Sequence, residues 1–137
     1  GEVVEMASMS FEEVAGYLQR LAPKEYAFVA ASASEGDQYT MSAFNLVYGD
    51  IPVQVLHAKN PYLCDTSGGC PIWLLQVTEG GGVSVLHKTQ ADHPLTLTVS
   101  PTSPSIPRSM YFVRYDELVV LEFDMESRQY VLKAAMY

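Results

Sequence analysis

Five apolar positions near the start of the chain, Phe11, Val14, Ala15, Leu18 and Leu21, recur at helical spacing and form one stripe. Ser10-Phe11-Glu12-Glu13 just before and within that stripe reads as a capping box. The Ser10 hydroxyl can accept from the Glu13 amide while the Glu13 carboxylate reaches back to the Ser10 amide. Met9 and Val14 stand where a hydrophobic staple would set the entry angle, and Pro23 ends the run. The pattern predicts a three-turn amphipathic helix whose one weak point is Gly16 on the far face. The nine residues before it show no period and are expected to form a loose lead-in.

Beyond Pro23 the period changes to two. Tyr26 to Ala31 is predicted as a short strand, Glu35-Gly36-Asp37 as a turn, and Tyr39 to Tyr48 as a strand with Phe44, Leu46 and Tyr48 on one face. Gly49-Asp50 is a further turn, and Val53 to His57 alternates again. Ile72 to Thr78 and Val83 to His87 flank Glu79-Gly80-Gly81-Gly82 and make the clearest hairpin. Leu95, Leu97 and Val99 mark another strand, and Tyr115 to Phe123 and Gln129 to Met136 close the chain around Asp124 to Arg128.

Ser100 to Pro107, SPTSPSIP, cannot donate a continuous ladder. Thirty residues follow it, too few for a core of their own, so it is expected to be a loop inside one domain spanning residues 1–137. The fold class expected is α+β, with one N-terminal helix covering a face of a mostly antiparallel sheet of about seven or eight strands.

Composition narrows the function classes. Sixteen acidic residues against eight basic ones give a formal charge of −8, and no cluster of Lys or Arg exists to neutralise phosphates. Nucleic acid and anionic membrane surfaces are disfavoured, no apolar run is long enough for a membrane span, and a cationic protein partner suits the charge. Solubility alone also accounts for the acidity.

Both cysteines, the Gly68-Gly69 pair and the single tryptophan fall within NPYLCDTSGGCPIW, residues 60–73. Cys64 and Cys70 lack the two-residue spacing of redox motifs. They supply half of a zinc site, which His57 and His87 would have to complete without knuckle spacing. A nucleophilic cysteine served by His57, His87 or His93 needs geometry that sequence does not carry. The pattern favours a structural disulfide formed in an oxidising compartment, closing a loop of about seven residues with a stabilisation of about 2 kcal/mol. Gly68 and Gly69 are expected to provide positive φ angles. The candidate binding surface is this loop: Tyr62, Asp65, Thr66, Ser67, Gly68, Gly69 and, beside it, Trp73.

Asn60-Pro61-Tyr62-Leu63-Cys64, then Ser67-Gly68-Gly69-Cys70-Pro71 ahead of the apolar strand at Ile72, resembles small exported bacterial domains in which a C-x-x-x-G-G-C-P disulfide loop opens a central strand. Tyr48-Gly49-Asp50-Ile51-Pro52 is similar to the N-G-D-G-x-P turn that precedes that loop. Phe123-Asp124 with Arg128 and Tyr130 is similar to a closing F-D-G-x-x-Y hairpin. The resemblance spans about residues 45–130 and departs at the first turn, where Tyr48 and Ile51 replace polar residues. It implies a periplasmic or extracellular location, with a leader removed before Gly1, and a fold type; it implies no reaction.

The acidic groups Asp116-Glu117 and Glu122, Asp124, Glu126 suit a solvated turn better than general acid–base pairs. No phosphate-cradling loop, nucleophile elbow, calcium loop or zinc-protease motif is present, and no cofactor is implied. Nine tyrosines bring amphipathic contact area, of which Tyr62, with Trp73, flanks the loop. The function expected is an exported, non-enzymatic binding module, with an inhibitor acting through the disulfide loop as a special case. A small hydrolase using histidines and carboxylates, and a structural component of an envelope assembly, are the alternatives. A cleft lined by His57, His93 and carboxylates would favour the first alternative; an apolar patch or open strand edge would favour the second.

Overall fold

A computed structural model of the chain describes residues 1–32, 36–47, 52–78 and 80–136. The predicted turns at Glu35 and at Tyr48-Gly49-Asp50-Ile51, together with Glu79 and Tyr137, lie outside the described residues. The elements are β1 (Glu2–Val4), β2 (Ala7–Met9), α1 (Phe11–Leu21), α2 (Tyr26–Ala31), β3 (Gln38–Asn45), β4 (Pro52–Lys59), β5 (Gly69–Val77), β6 (Val83–Asp92), β7 (Leu97–Val99), β8 (Met110–Arg114), β9 (Glu117–Asp124) and β10 (Gln129–Met136).

The strands make two antiparallel sheets of five, ordered β2-β3-β4-β5-β6 and β1-β7-β8-β9-β10, rather than the single sheet of seven or eight expected. The helices cover one face of the first sheet, and the second sheet covers the other. Val14, Leu18, Ala22 and Val29 of the helical segment pack with Tyr39, Leu56, Ala58, Trp73 and Leu75. On the opposite face Phe44, Val53, Val55, Ile72 and Leu74 meet Leu97, Val99, Met110, Phe112, Val119, Leu121 and Tyr130 of the second sheet. The inner strands of the first sheet are therefore buried on both faces, which explains the continuous apolar run from Ile72 to Leu75: successive side chains enter alternate cores.

The capping box is present as expected, with the Glu13 amide donating to Ser10 Oγ at 3.2 Å and the Ser10 amide to Glu13 Oε1 at 3.0 Å. Residues 1–9 are not a loose lead-in. Glu2–Val4 pairs with β7 and Ala7–Met9 with β3, so nine residues stitch one sheet to the other before the helix begins. Tyr26–Ala31 is a helix rather than a strand, seating Val29 in the helical core. Its three alanines, Ala27, Ala30 and Ala31, favour that outcome, and six residues are too few for a period of two to be told from a helical one. The Pro/Ser-rich stretch connects β7 to β8 and is anchored through Arg108. The Arg108 side chain is buried and donates to the Ser100 carbonyl at 2.8 Å and to the Glu2 carboxylate at 2.8 Å, while its own carbonyl accepts from the Tyr130 hydroxyl at 2.7 Å.

Candidate functional site: the stapled loop and its cleft

Residues 60–68 join β4 to β5, two central strands of the first sheet, so the loop starts and ends in rigid backbone. Its first residue, Asn60, is buried and its side-chain amide bonds at both ends. Nδ2 donates to Asp37 Oδ2 at 3.0 Å and to the Tyr39 hydroxyl at 3.4 Å, and Oδ1 accepts from the Tyr62 amide at 2.8 Å. The Asn60 carbonyl accepts from the Leu63 and Cys64 amides, winding the chain back toward the strand ends. Cys64 and Cys70 are joined in a disulfide with Cα atoms 4.1 Å apart. Pro71 fits here because β4 pairs with β5 only from Ile72 onward, so no ladder donor is needed at residue 71 on that side.

Asp65 organises the loop from within. Its Oδ1 accepts from the Ser67 amide at 3.0 Å and the Gly69 amide at 2.9 Å, its amide donates to the Gly69 carbonyl at 2.8 Å, and its Oδ2 accepts from the Tyr115 hydroxyl. The Tyr115 hydroxyl is the main cause holding the Asp65 carboxyl below the ordinary aspartate range, with the loop amides adding to it. Gly68 adopts φ 94° as expected; Gly69 does not have positive φ. Gly69 is needed for space, because a Cβ there would lie 2.7 Å from the Tyr115 hydroxyl oxygen. Five of the seven predicted surface residues thus form one constrained unit: Asp65, Thr66, Ser67, Gly68 and Gly69. Thr66, Ser67 and Gly68 are exposed at its tip.

Tyr62 is half exposed at 50%, and its ring stacks on Phe28 of α2, itself 59% exposed, at 5.5 Å. Trp73 was expected on this surface and is not there. It is 1% exposed, in the core under the helices, because β5 alternation carries it to the sheet face opposite Ile72 and Leu74. Nearness in sequence to the loop was a poor guide, and its central-strand position was the signal to follow. Phe28, Asn60 and Tyr115 were missed; of these, Asn60-Pro61 carried a turn signal that announces an Asn cap of the loop.

Beside the loop lies a cleft of about 500 Å³ lined by Gly36, Asp37, Lys59, Asn60, Pro61, the disulfide, Gly68 and His93. His57 is not among its walls. It is buried beneath, its Nε2–H donating to the Ala91 carbonyl at 3.3 Å, and burial holds its pKa below the ordinary histidine value. His93 stacks on His57 with ring centres 6.0 Å apart. Its pKa is also lowered, by burial and then by the Lys59 ammonium. His87 is remote from the cleft in role, donating through Nδ1 to the Tyr130 carbonyl at 2.9 Å. Asp124 caps the β9–β10 turn by accepting from the Ser127 hydroxyl at 2.8 Å. Among the described residues no three histidine, cysteine or acidic side chains converge as a metal site.

No helix of the described residues is long and apolar enough to cross a membrane. No protein-family model, curated protein or solved structure matches this chain, so the arrangement of its own residues carries the functional argument.

Proposed function

We propose that this chain is an exported, non-enzymatic binding module that engages a protein partner through the tip of the Cys64–Cys70 loop. The observation that carries the reading is the contrast within that loop. Its backbone is fixed by the disulfide and by four partners of Asp65, while Thr66, Ser67 and Gly68 stay exposed. A loop ordered before binding loses little entropy when it enters a partner's cleft. The exposed Phe28–Tyr62 pair adds rigid aromatic area at its foot. The charge of −8 favours encounter with a cationic partner. The disulfide, and the resemblance of the loop to those of small exported bacterial domains, support an oxidising compartment.

The test is capture from a periplasmic or culture-supernatant extract with wild type, Ser67→Arg, Gly68→Arg and Glu122→Lys as baits. A protein held by wild type and Glu122→Lys but lost by both arginine variants supports the reading. A protein held equally by all four leaves the loop as a staple only.

A second reading, a component of a larger assembly, is favoured by the outer face of the second sheet. Val3, Thr98, Tyr111, Val120 and Ala134 are successive cross-strand partners on that face, and Val113, Leu118 and Met136 form the adjoining row. Val3, Val113, Leu118 and Met136 are exposed, making a contiguous apolar surface of the kind that marks contacts between proteins. Sedimentation velocity discriminates: this reading requires concentration-dependent association that Val113→Lys with Leu118→Lys removes.

A further inference from the structure

The loop has a second side, which walls the cleft of about 500 Å³. That volume lies within the range of small-molecule sites, about 300–1,000 Å³. Lys59 is the last residue of β4 and His93 follows the last residue of β6, so two strand ends bring their side chains to this wall. Both are half-buried. Among the described residues neither side chain has a hydrogen-bond or ion-pair partner, and the contact His93 makes is its stacking on His57. A half-buried ammonium beside an imidazole gives this concavity a local point of positive charge on a chain of charge −8. Low-dielectric walls focus such a field. Even when neutral, the imidazole retains one N–H to donate.

The other walls select among anions. Asp37 shares the cleft, its Oδ2 held by the Asn60 amide, so one carboxylate offsets one ammonium and a ligand must gain from the apolar walls as well as from charge. Both donors of the Asn60 amide are already taken by Asp37 and Tyr39, so it offers an anion no N–H. Pro61 and the Cys64–Cys70 bridge form apolar surface that no inorganic ion would use. We propose that this cleft binds a small organic carboxylate, with its charged end on the Lys59 ammonium and the His93 ring and its apolar body against Pro61 and the disulfide. The charged end of the site lies apart from the exposed loop tip, of which Gly68 alone lines the cleft.

The experiment is an amide NMR titration of the full chain with hexanoate, acetate and inorganic phosphate. Hexanoate should give saturable shifts at Lys59, His93 and Gly68, with acetate at least about tenfold weaker for want of an apolar body. Lys59→Gln should weaken hexanoate at least about tenfold, while Lys59→Arg keeps affinity within about threefold. His93→Ala, away from β4, gives a second test should Lys59→Gln disturb the strand; it too should weaken hexanoate. The proposal is overturned if hexanoate does not saturate, if acetate or phosphate binds as tightly, or if folded Lys59→Gln and His93→Ala bind hexanoate like wild type.

Discussion

The Tyr115 hydroxyl donates to the Asp65 carboxylate, tying a turn of the second sheet to the disulfide loop of the first. Tyr115 and Asp116 are the two central residues of the β8–β9 hairpin, closed by the Arg114–Glu117 pair, and both have positive φ, 52° and 63°. Such turns prefer Asn-Gly, so a tyrosine here sits in a sparsely populated region for its type. Two bonds hold it there: the hydroxyl on Asp65, and its amide on Asp92 Oδ1 at 2.8 Å. Tyr115→Phe should therefore loosen the loop without unfolding the domain. We expect amide exchange at Ser67 and Gly69 to rise about tenfold while exchange in β5 beyond Ile72 is unchanged. Equal protection in the variant would show that the disulfide alone orders the loop.

The same bond sets a pH window. The Asp65 carboxyl is held below its ordinary value of 3.8, first by the Tyr115 hydroxyl and then by the Gly69, Ser67 and Gly68 amides. A depressed folded-state value means the stabilisation is present above the unfolded value and is lost as pH falls through the folded one. Tyr115 is shifted the other way, above 10.0, chiefly by its bond to Asp65. That contribution is present below the unfolded value and is lost as pH rises through the folded one. The loop should therefore be uniformly ordered from about pH 4 to 10 and loosen outside that window. Following the Gly69 amide and Tyr115 ring signals by NMR checks this; an Asp65 titration at its ordinary value would contradict it.

The two loop glycines should respond differently. Gly68 has open space around a built Cβ but a φ of 94°, so Gly68→Ala should cost about 1–2 kcal/mol of backbone strain and leave the Tyr115–Asp65 bond in place. At Gly69 a Cβ would meet Tyr115 Cε1 and Asp65 Oδ2, both at 2.9 Å, as well as the hydroxyl. Gly69→Ala should expel the Tyr115 ring, reproducing the exchange behaviour of Tyr115→Phe. Chemical denaturation paired with the ring signals of Tyr115 separates the two effects.

Local signals were legible where residues act on near neighbours. The Ser10–Glu13 box, the Leu18 stripe, the β5–β6 hairpin and the strand ending at Met136 are all written in short-range pattern. The β8–β9 hairpin was not, because Tyr115-Asp116 lacks the glycine by which such turns are recognised; residues 115–123 read as one strand and β8 went unseen. The division into two sheets was equally hidden. It depends on β1 and β2, three residues each, choosing different partners, and no local periodicity encodes that choice. At the site, the disulfide and the exposed tip were legible. The cleft was not, since Asp37, Lys59 and His93 converge only once β3, β4 and β6 are in register.

The docking of α1 is measurable by substitutions of opposite sign. Leu18 is buried against the first sheet, so Leu18→Ala should cost about 2–5 kcal/mol. Ser10→Ala should cost about 1 kcal/mol through the lost cap. Gly16 is exposed mid-helix and a Cβ there touches nothing, so Gly16→Ala should stabilise by about 0.5–1 kcal/mol. Urea melts of the three variants check the set; a destabilising Gly16→Ala would mean that this face of the helix is covered.

Reduction of the Cys64–Cys70 bridge should cost the loop more than the domain. Titration of denatured, unreduced protein should find no free thiol, because both cysteines of the chain are in this bond. The closed loop is short, with a sequence separation of 6, so removing the bond should lower stability by only about 2 kcal/mol in the chain-entropy model. Local consequences are expected to be larger than that figure suggests. Cys70 is buried at the start of β5, whereas Cys64 is half-buried and held by its amide on the Asn60 carbonyl and its sulfur against the Ala58 carbonyl. With the bridge gone, residues 61–68 keep Asn60 and the Asp65–Gly69 bonds as their anchors and lose their covalent tie to β5. Cys64→Ser with Cys70→Ser should therefore fold, melt a few degrees lower, and show faster exchange at Ser67 and Gly69 while β5 beyond Ile72 stays protected. The same double variant should also lose any partner captured through Ser67, because the loop would then pay its ordering entropy at binding. Retained capture with fast-exchanging amides would separate the recognition surface from the staple and return the bridge to a purely stabilising role.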